Sequence, residues 1–209
     1  MNPADQATDG GTPGPTLVLA STSRYRRALL DRLGLPYAAV APDADETPFP
    51  GEAPAATALR LAEAKARSVA GAFPRALIVG SDQVADADGT VVGKPGSAAA
   101  ARQQLALLSG RSVVFHTGLA LLDARTGACQ TAMVDVRSRF RRLTAGEIDA
   151  YLEREQPWDC AGSVKSEALG IALFEAIESD DPTALIGLPL IRLTSMLKVA
   201  GVSVLRLPG

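Results

Sequence analysis

An apolar run ending in "LIVGSD" carries Asp82 to the carboxyl end of what reads as a buried strand. Open α/β sheets place ligands at such strand ends, where a carboxylate can accept a proton from water or hold a cation. A turn-forming aspartate is the plain alternative. Glu46 stands in a second acidic run, "DADET" (43–47), which also reads as a solvated loop. Asp82 and Glu46 could share a divalent cation such as Mg2+ or Mn2+. Magnesium takes one or two protein carboxylates and completes its octahedron with water and phosphate oxygens.

Positive and small residues supply what a polyphosphate needs. The stretch "LVLASTSRYRRALL" leads from an apolar strand through Ser21, Thr22 and Ser23 into an arginine-rich helix, where free amides and guanidinium groups attract anions. Its other reading is a Ser/Thr cap followed by solvated arginines. "GKP" (93–95) offers Lys94 on a tight corner, either a phosphate site or a bend. Lys65, within "RLAEAKARSVA", serves either the same anion or a surface pair with Glu63 or Glu52. The polar cluster "AGSVKSE" (161–167) holds Lys165 and Glu167.

Other chemistries find few residues. His116 is the one histidine, too few for a zinc site, and lies in the strand-like "SVVFHTGLALL", which marks it as structural. Cys129 and Cys160 are too far apart for a CxxC motif. Without a cysteine or histidine in the polar motifs, attack by water fits better than a covalent intermediate. Arg137, Arg139 and Arg141 alternate and so share one strand face. Lacking interleaved aromatics, they read as a solvated or partner-facing surface rather than a nucleic-acid platform.

The elements that must position these groups alternate along the chain. Strands are expected at "TLVLAS", "YAAVAPD", "RALIVGSDQVA", "SVVFHTGLALLDA", "CQTAMVDVRSRFRRL" and "IALFEAIE"; the fourth and fifth form an antiparallel pair across "RTGA". Helices are expected at "RYRRALLDRLG", over 54–72, after Ser97 as far as Gly110, after Thr144 with Glu147 at capping-box spacing, and through "LIRLTSMLKVAG". The result is an α/β protein with a mixed sheet flanked by helices. The chain has 209 residues, 47% hydrophobic and 21% charged, enough for one domain or two closely joined lobes. A formal net charge of −2 argues against general nucleic-acid binding and makes any anion site local. Residues 1–15, rich in glycine and proline, are expected to be a disordered tail without leader character. No apolar run is long enough to span a bilayer, so no membrane association and a cytoplasmic location are expected.

Taken in order, "LASTSRYRRALL", "DET", "RLAEAKA", "GSDQV", "GKP", "CAGSVKSEALGI" and "LIGLPLIRL" resemble the Maf-like nucleotide pyrophosphatases, over nearly the whole chain from Thr16. "GSDQV" and "AGSVKSE" are similar to the branch acting on 7-methyl-GTP; the branch acting on thymidine and uridine triphosphates is expected to carry a "DT" pair at the first site. The resemblance implies a twisted mixed sheet in two lobes around a central cleft, a homodimer, and hydrolysis to a nucleoside monophosphate and pyrophosphate with a divalent cation. By motif, Asp82 is the proton acceptor, with Lys65 and Lys94 as catalytic cations and Glu46 as its partner in metal binding. Ser21, Arg26 and Lys165 would contact substrate, while Tyr25, Gln83 and Glu167 would select it. Tyr25 departs from the tryptophan often found in that branch but keeps an aromatic ring. Two other readings stand beside this one: a pyrophosphatase for pyrimidine or other purine triphosphates, and a nucleotide-binding regulator of cell division with little turnover.

Overall fold

In the computed structural model, which describes residues 17–205, the wholly buried tetrad Leu17–Ala20 forms β1. The expected tail over 1–15 lies outside the described residues. β1 pairs in parallel with β2 (Tyr37–Val40) on one side and with β3 (Leu77–Ala87) on the other. β3 is longer than its parallel neighbours. Its far half pairs with the short β4 (Thr90–Val92), and along most of its length it runs antiparallel to β5 (Ser112–Asp123). β6 (Cys129–Phe140) and β7 (Phe174–Glu178) continue antiparallel, giving a mixed seven-stranded sheet in the order β2-β1-β3-β5-β6-β7, with β4 off β3.

Among the described residues five helices flank the sheet: α1 (Arg24–Asp31), α2 (Pro54–Ser68), α3 (Ala98–Leu108), α4 (Ala145–Glu155) and α5 (Leu190–Val199). Their starts follow the local chemistry. Ser97 caps α3 through Ala100 N at 3.3 Å, and Thr144 with Glu147 forms the capping box of α4. α2 stops at Ser68, short of the expected Ala72. Residues Ala70–Ala72 tighten into a 3-10 turn beyond the β-branched Val69 and around Gly71, neither of which favours α-helix. The expected strand over 171–178 likewise begins as a 3-10 turn, Leu169–Leu173. Gly170 there lies so close to Lys165 that a Cβ would come within 2.4 Å of that residue's carbonyl oxygen.

α2 sits on the sheet with almost no side chain between. A Cβ on Gly80 of β3 would stand 2.1 Å from Ala62 O, and one on Gly118 of β5 would stand 2.3 Å from Ala58 O. These glycines let the helix backbone reach the strand backbone. Gly118 is the cross-strand neighbour of Asp82, and Gly80 shares its face of β3, so the close approach brings α2 to that carboxylate.

The apolar residues segregate. One cluster gathers the far half of β3 with α3, α4 and the matching ends of β5 and β6, around Leu105, Leu108, Phe115 and Phe140. Two others cover opposite faces of the remaining sheet: Leu29, Leu30, Leu193 and Leu197 under α1 and α5, and Ala62, Ala66 and Ile78 under α2. Of the arginine strip, Arg137 and Arg139 are exposed on β6, with Arg139 paired to Glu175 at 2.8 Å, whereas Arg141 falls just past the strand's end, half-buried and paired to Glu147 at 3.0 Å. His116 is held within the sheet by Asp135, at 2.8 Å.

Candidate functional site

A cleft of about 880 Å³ opens where these clusters meet, bounded by the β1–α1 turn, the loop before α2, the middle of β3, the GKP corner and the loops around 158–167 and 185–187. Asp82 stands mid-strand rather than at the expected carboxyl end, because β3 runs on to Ala87 alongside β5 and β4. In the β1–α1 turn the hydroxyls are engaged locally. Ser23 Oγ accepts from Arg26 N at 3.3 Å and caps α1; the buried Ser21 accepts from Ser23 N at 3.1 Å and lines the cleft. The cap of the second reading is present, and the same turn also lines the cleft. Arg24 and Arg27 are exposed, whereas Arg26 turns inward and donates Nε–H to Gly187 O at 2.8 Å. Burial lowers its pKa, and the charges of Asp82 and Glu46 oppose that.

Lys65 is the hub of the cleft floor. It is only 5% exposed, and its Nζ lies 2.6 Å from Asp82 Oδ1 and 2.6 Å from Glu46 Oε1. Such a cation must be paired to be tolerated inside, and the two carboxylates provide the pairing. The alternative surface partners are taken: Glu63 binds Arg67, and Glu52 binds Arg60. Partial burial resists ionisation of Glu46, but Lys65, followed by Lys94 and Arg26, holds its carboxyl below the usual range. Lys94 is exposed on the cleft wall.

At the other side Tyr25 meets Asp159. The phenol donates to Asp159 Oδ1 at 3.3 Å and accepts from Arg24 Nη2 at 2.7 Å, while the Arg24 guanidinium stands 4.8 Å above its ring. Burial raises the Tyr25 phenol's pKa and pushes the neighbouring Cys160 thiol up to about 12. Glu167 and Trp158 line the same region; desolvation by the cleft walls lifts the Glu167 carboxyl above its ordinary range, with Lys165 pulling the other way.

Gln83 lines the cleft, but its amide N–H groups are turned to Thr117 Oγ1, Ala184 O and Leu185 O at 3.0, 2.9 and 3.1 Å. Lys165 does not join the others. It is buried with its ammonium against Glu155 O at the end of α4 and is absent from the cleft lining, so its place as a substrate contact has no geometric support. Sequence reasoning missed Asp159, Trp158, Ser81 and Gly187. All four lie inside or beside the quoted motifs, but their partners are distant in sequence.

Asp82 and Glu46 fit a divalent cation shared with phosphate. They converge on one ammonium, which shows that the two carboxylates can face a single positive charge. A hard cation of this kind takes only one or two protein carboxylates and completes its shell with substrate oxygens and water.

The family profile described as Maf-like protein matches residues 16–200. A 7-methyl-GTP pyrophosphatase of Burkholderia pseudomallei is 60% identical over 190 residues, covering 90% of this chain and 88% of the relative. The protein of the same name from Cupriavidus pinatubonensis is 58% identical over 91% of this chain and 96% of its own, and that from a Polaromonas species is 54% identical over 97% and 94%.

Proposed function

The chain belongs to the Maf-like family, and from that premise we propose that it is a pyrophosphatase hydrolysing 7-methyl-GTP to 7-methyl-GMP and pyrophosphate. The observation that carries this reading is the floor of the cleft, where Lys65 bridges Asp82 and Glu46 beside Arg26 and Lys94. Polyphosphate hydrolysis needs charge neutralisation, a positioned water and a stabilised leaving group, and these side chains offer all three.

Water attacks the α phosphorus, the bond to the α–β bridging oxygen breaks, and pyrophosphate leaves. Asp82 accepts the water's proton; Lys65 holds its Oδ1 at 2.6 Å, which leaves Oδ2 for the transfer. Arg26 and Lys94 balance charge on the departing phosphates. A divalent cation held by Glu46 and Asp82 would supply further neutralisation of the phosphate oxygens. Ser21 lines the phosphate side of the cleft. Tyr25 and Glu167 face the base: an electron-rich ring for a cationic purine and an acceptor-only carboxylate for the adjacent N1–H and amine of guanine.

No helix among the described residues is long and apolar enough to cross a membrane. Cytoplasmic placement, a homodimer and independence from nucleic acid form part of the same proposal, and light scattering tests the dimer. The decisive experiment incubates the protein with magnesium or manganese and a panel of canonical and methylated nucleoside triphosphates. Preferred conversion of 7-methyl-GTP to monophosphate and pyrophosphate, with heavy oxygen from water entering the monophosphate, is the expected result. Preference for dTTP, UTP or unmodified GTP would replace the substrate, binding without turnover would make the protein a nucleotide sensor, and label in pyrophosphate would move the attack to the β phosphorus.

A further inference from the structure

Within "GSDQV" Asp82 forms the ion pair with Lys65, and the residues on either side of it are equally committed to contacts. Ser81 is completely buried, and its hydroxyl lies 2.9 Å from Gly118 O and 2.9 Å from Gly187 O. One hydroxyl has a single proton, so it donates to one of these carbonyls at a time. Gly187 O is also the acceptor of Arg26 Nε–H at 2.8 Å. The same carbonyl thus joins β3 to the arginine of α1. Gln83 and Thr117 hold the preceding carbonyls, with Thr117 Oγ1 donating to Ala184 O at 3.0 Å beside the Gln83 contacts. Three side chains of β3 and β5 therefore suspend the 184–187 loop from the sheet.

Gly187 is suited to this place. Its φ of +116° is one that side-chain-bearing residues rarely adopt, and a Cβ there would lie 3.4 Å from Arg26 Nε. A guanidinium anchored through Nε keeps its two terminal nitrogens as a fork for an anion, and the plane of that fork follows the anchor. We propose that Ser81 is a positioning residue that sets the phosphate-binding plane of Arg26 through the Gly187 carbonyl. This rests on the reading of Arg26 as a phosphate ligand. Ser81 touches no substrate; it fixes the acceptor that fixes the arginine.

A double-mutant cycle tests the proposal on the full chain, with tripolyphosphate binding measured by calorimetry without metal and 7-methylguanosine binding as the control at the base side. Ser81→Ala is expected to weaken tripolyphosphate binding about fivefold, the effect of one buried hydrogen bond, and to leave 7-methylguanosine binding unchanged. In the Arg26→Gln background the same substitution is expected to add nothing, because its route to the ligand is gone. Additive losses, or equal losses for both ligands, would overturn the proposal and make Ser81 a general structural residue. If Arg26→Gln itself leaves tripolyphosphate binding intact, the phosphate role of Arg26 fails and the proposal with it. Should Ser81→Ala not fold, Ser81→Cys keeps the shape with a weak donor, and the same coupling to Arg26 decides.

Discussion

In the proposed mechanism the chemistry turns on Lys65, a buried cation held by its pairing with Asp82 and Glu46. Asp82→Asn keeps the shape of the side chain but cannot accept a proton. Turnover is expected to fall by about 10²–10⁴ with the thermal transition still cooperative. Near wild-type turnover at saturating metal would remove Asp82 from the proton transfer. The proposed function assigns selectivity to Tyr25 and Glu167. The Tyr25 ring already carries a cation, the Arg24 guanidinium at 4.8 Å, so its face accepts positive charge. Methylation at N7 makes guanine cationic, which favours both that ring and a carboxylate over their neutral counterparts. Glu167→Gln is expected to lower the preference for 7-methyl-GTP over GTP by roughly 1–3 kcal/mol, and Tyr25→Leu to weaken the methylated substrate more than GTP. Unchanged ratios of kcat/KM in both variants would place selection elsewhere, with Asp159 the next residue to change.

At the scale of elements, the approach of α2 to β3 and β5 decides whether Lys65 reaches Asp82 at all. Gly80→Ala puts a methyl 2.1 Å from Ala62 O, and a helix backbone cannot yield as a flexible side chain can. The helix must lift, and overpacking of this kind costs about 1–3 kcal/mol or more. Urea unfolding should show the loss, and kcat should fall with it although no catalytic group has changed. Wild-type stability and kcat would mean that the Lys65–Asp82 contact survives without the close approach. The same elements show what was legible in the sequence. Strand and helix periodicity, the Ser97 cap and the Thr144–Glu147 capping box are local patterns, and they place most elements. Asp82, Lys65 and Glu46 could be singled out by residue type and motif, but the direct pairing of Lys65 with both carboxylates could not, since its sequence leaves it between an anion site and a surface pair with Glu63 or Glu52 until α2 is laid on glycine. The contacts of Gly187 with Arg26 and Ser81 span 161 and 106 residues, beyond any local signal. Lys165 illustrates the reverse: a lysine in a polar motif turned away, because the end of α4 offered its ammonium a carbonyl.

For the molecule as a whole, charge is organised rather than abundant. With a formal net charge of −2, the chain concentrates Arg26, Lys65 and Lys94 on one cleft and sets acidic groups around them, so its response to acid can be worked out from those groups. Glu52 is held at about 2, first by its hydrogen bonds from Arg60 and then, against some desolvation, by Phe49 N and Thr57. Glu46, Asp45, Asp123 and Glu147 are also depressed. A carboxylate with a folded pKa below its unfolded value stabilises the fold above the unfolded value and loses that contribution as pH falls through the folded one. Glu167, raised by desolvation, acts in the opposite sense, but it is one group against five. Stability is therefore expected to decline as pH drops below about 4.5, the unfolded carboxylate range, and to keep declining toward the value of about 2 held by Glu52. The urea midpoint followed from pH 6 downward, in steps of about half a unit, checks this. Glu52 ties the loop after Glu46 to α2 through Arg60, whose Nε and Nη2 lie 2.6 and 2.7 Å from its two oxygens. Glu52→Gln should then lower the midpoint at neutral pH and flatten the slope in acid, since the largest depressed group no longer titrates. A variant with the wild-type slope would show that the clasp between Glu52 and Arg60 is not what acid dismantles.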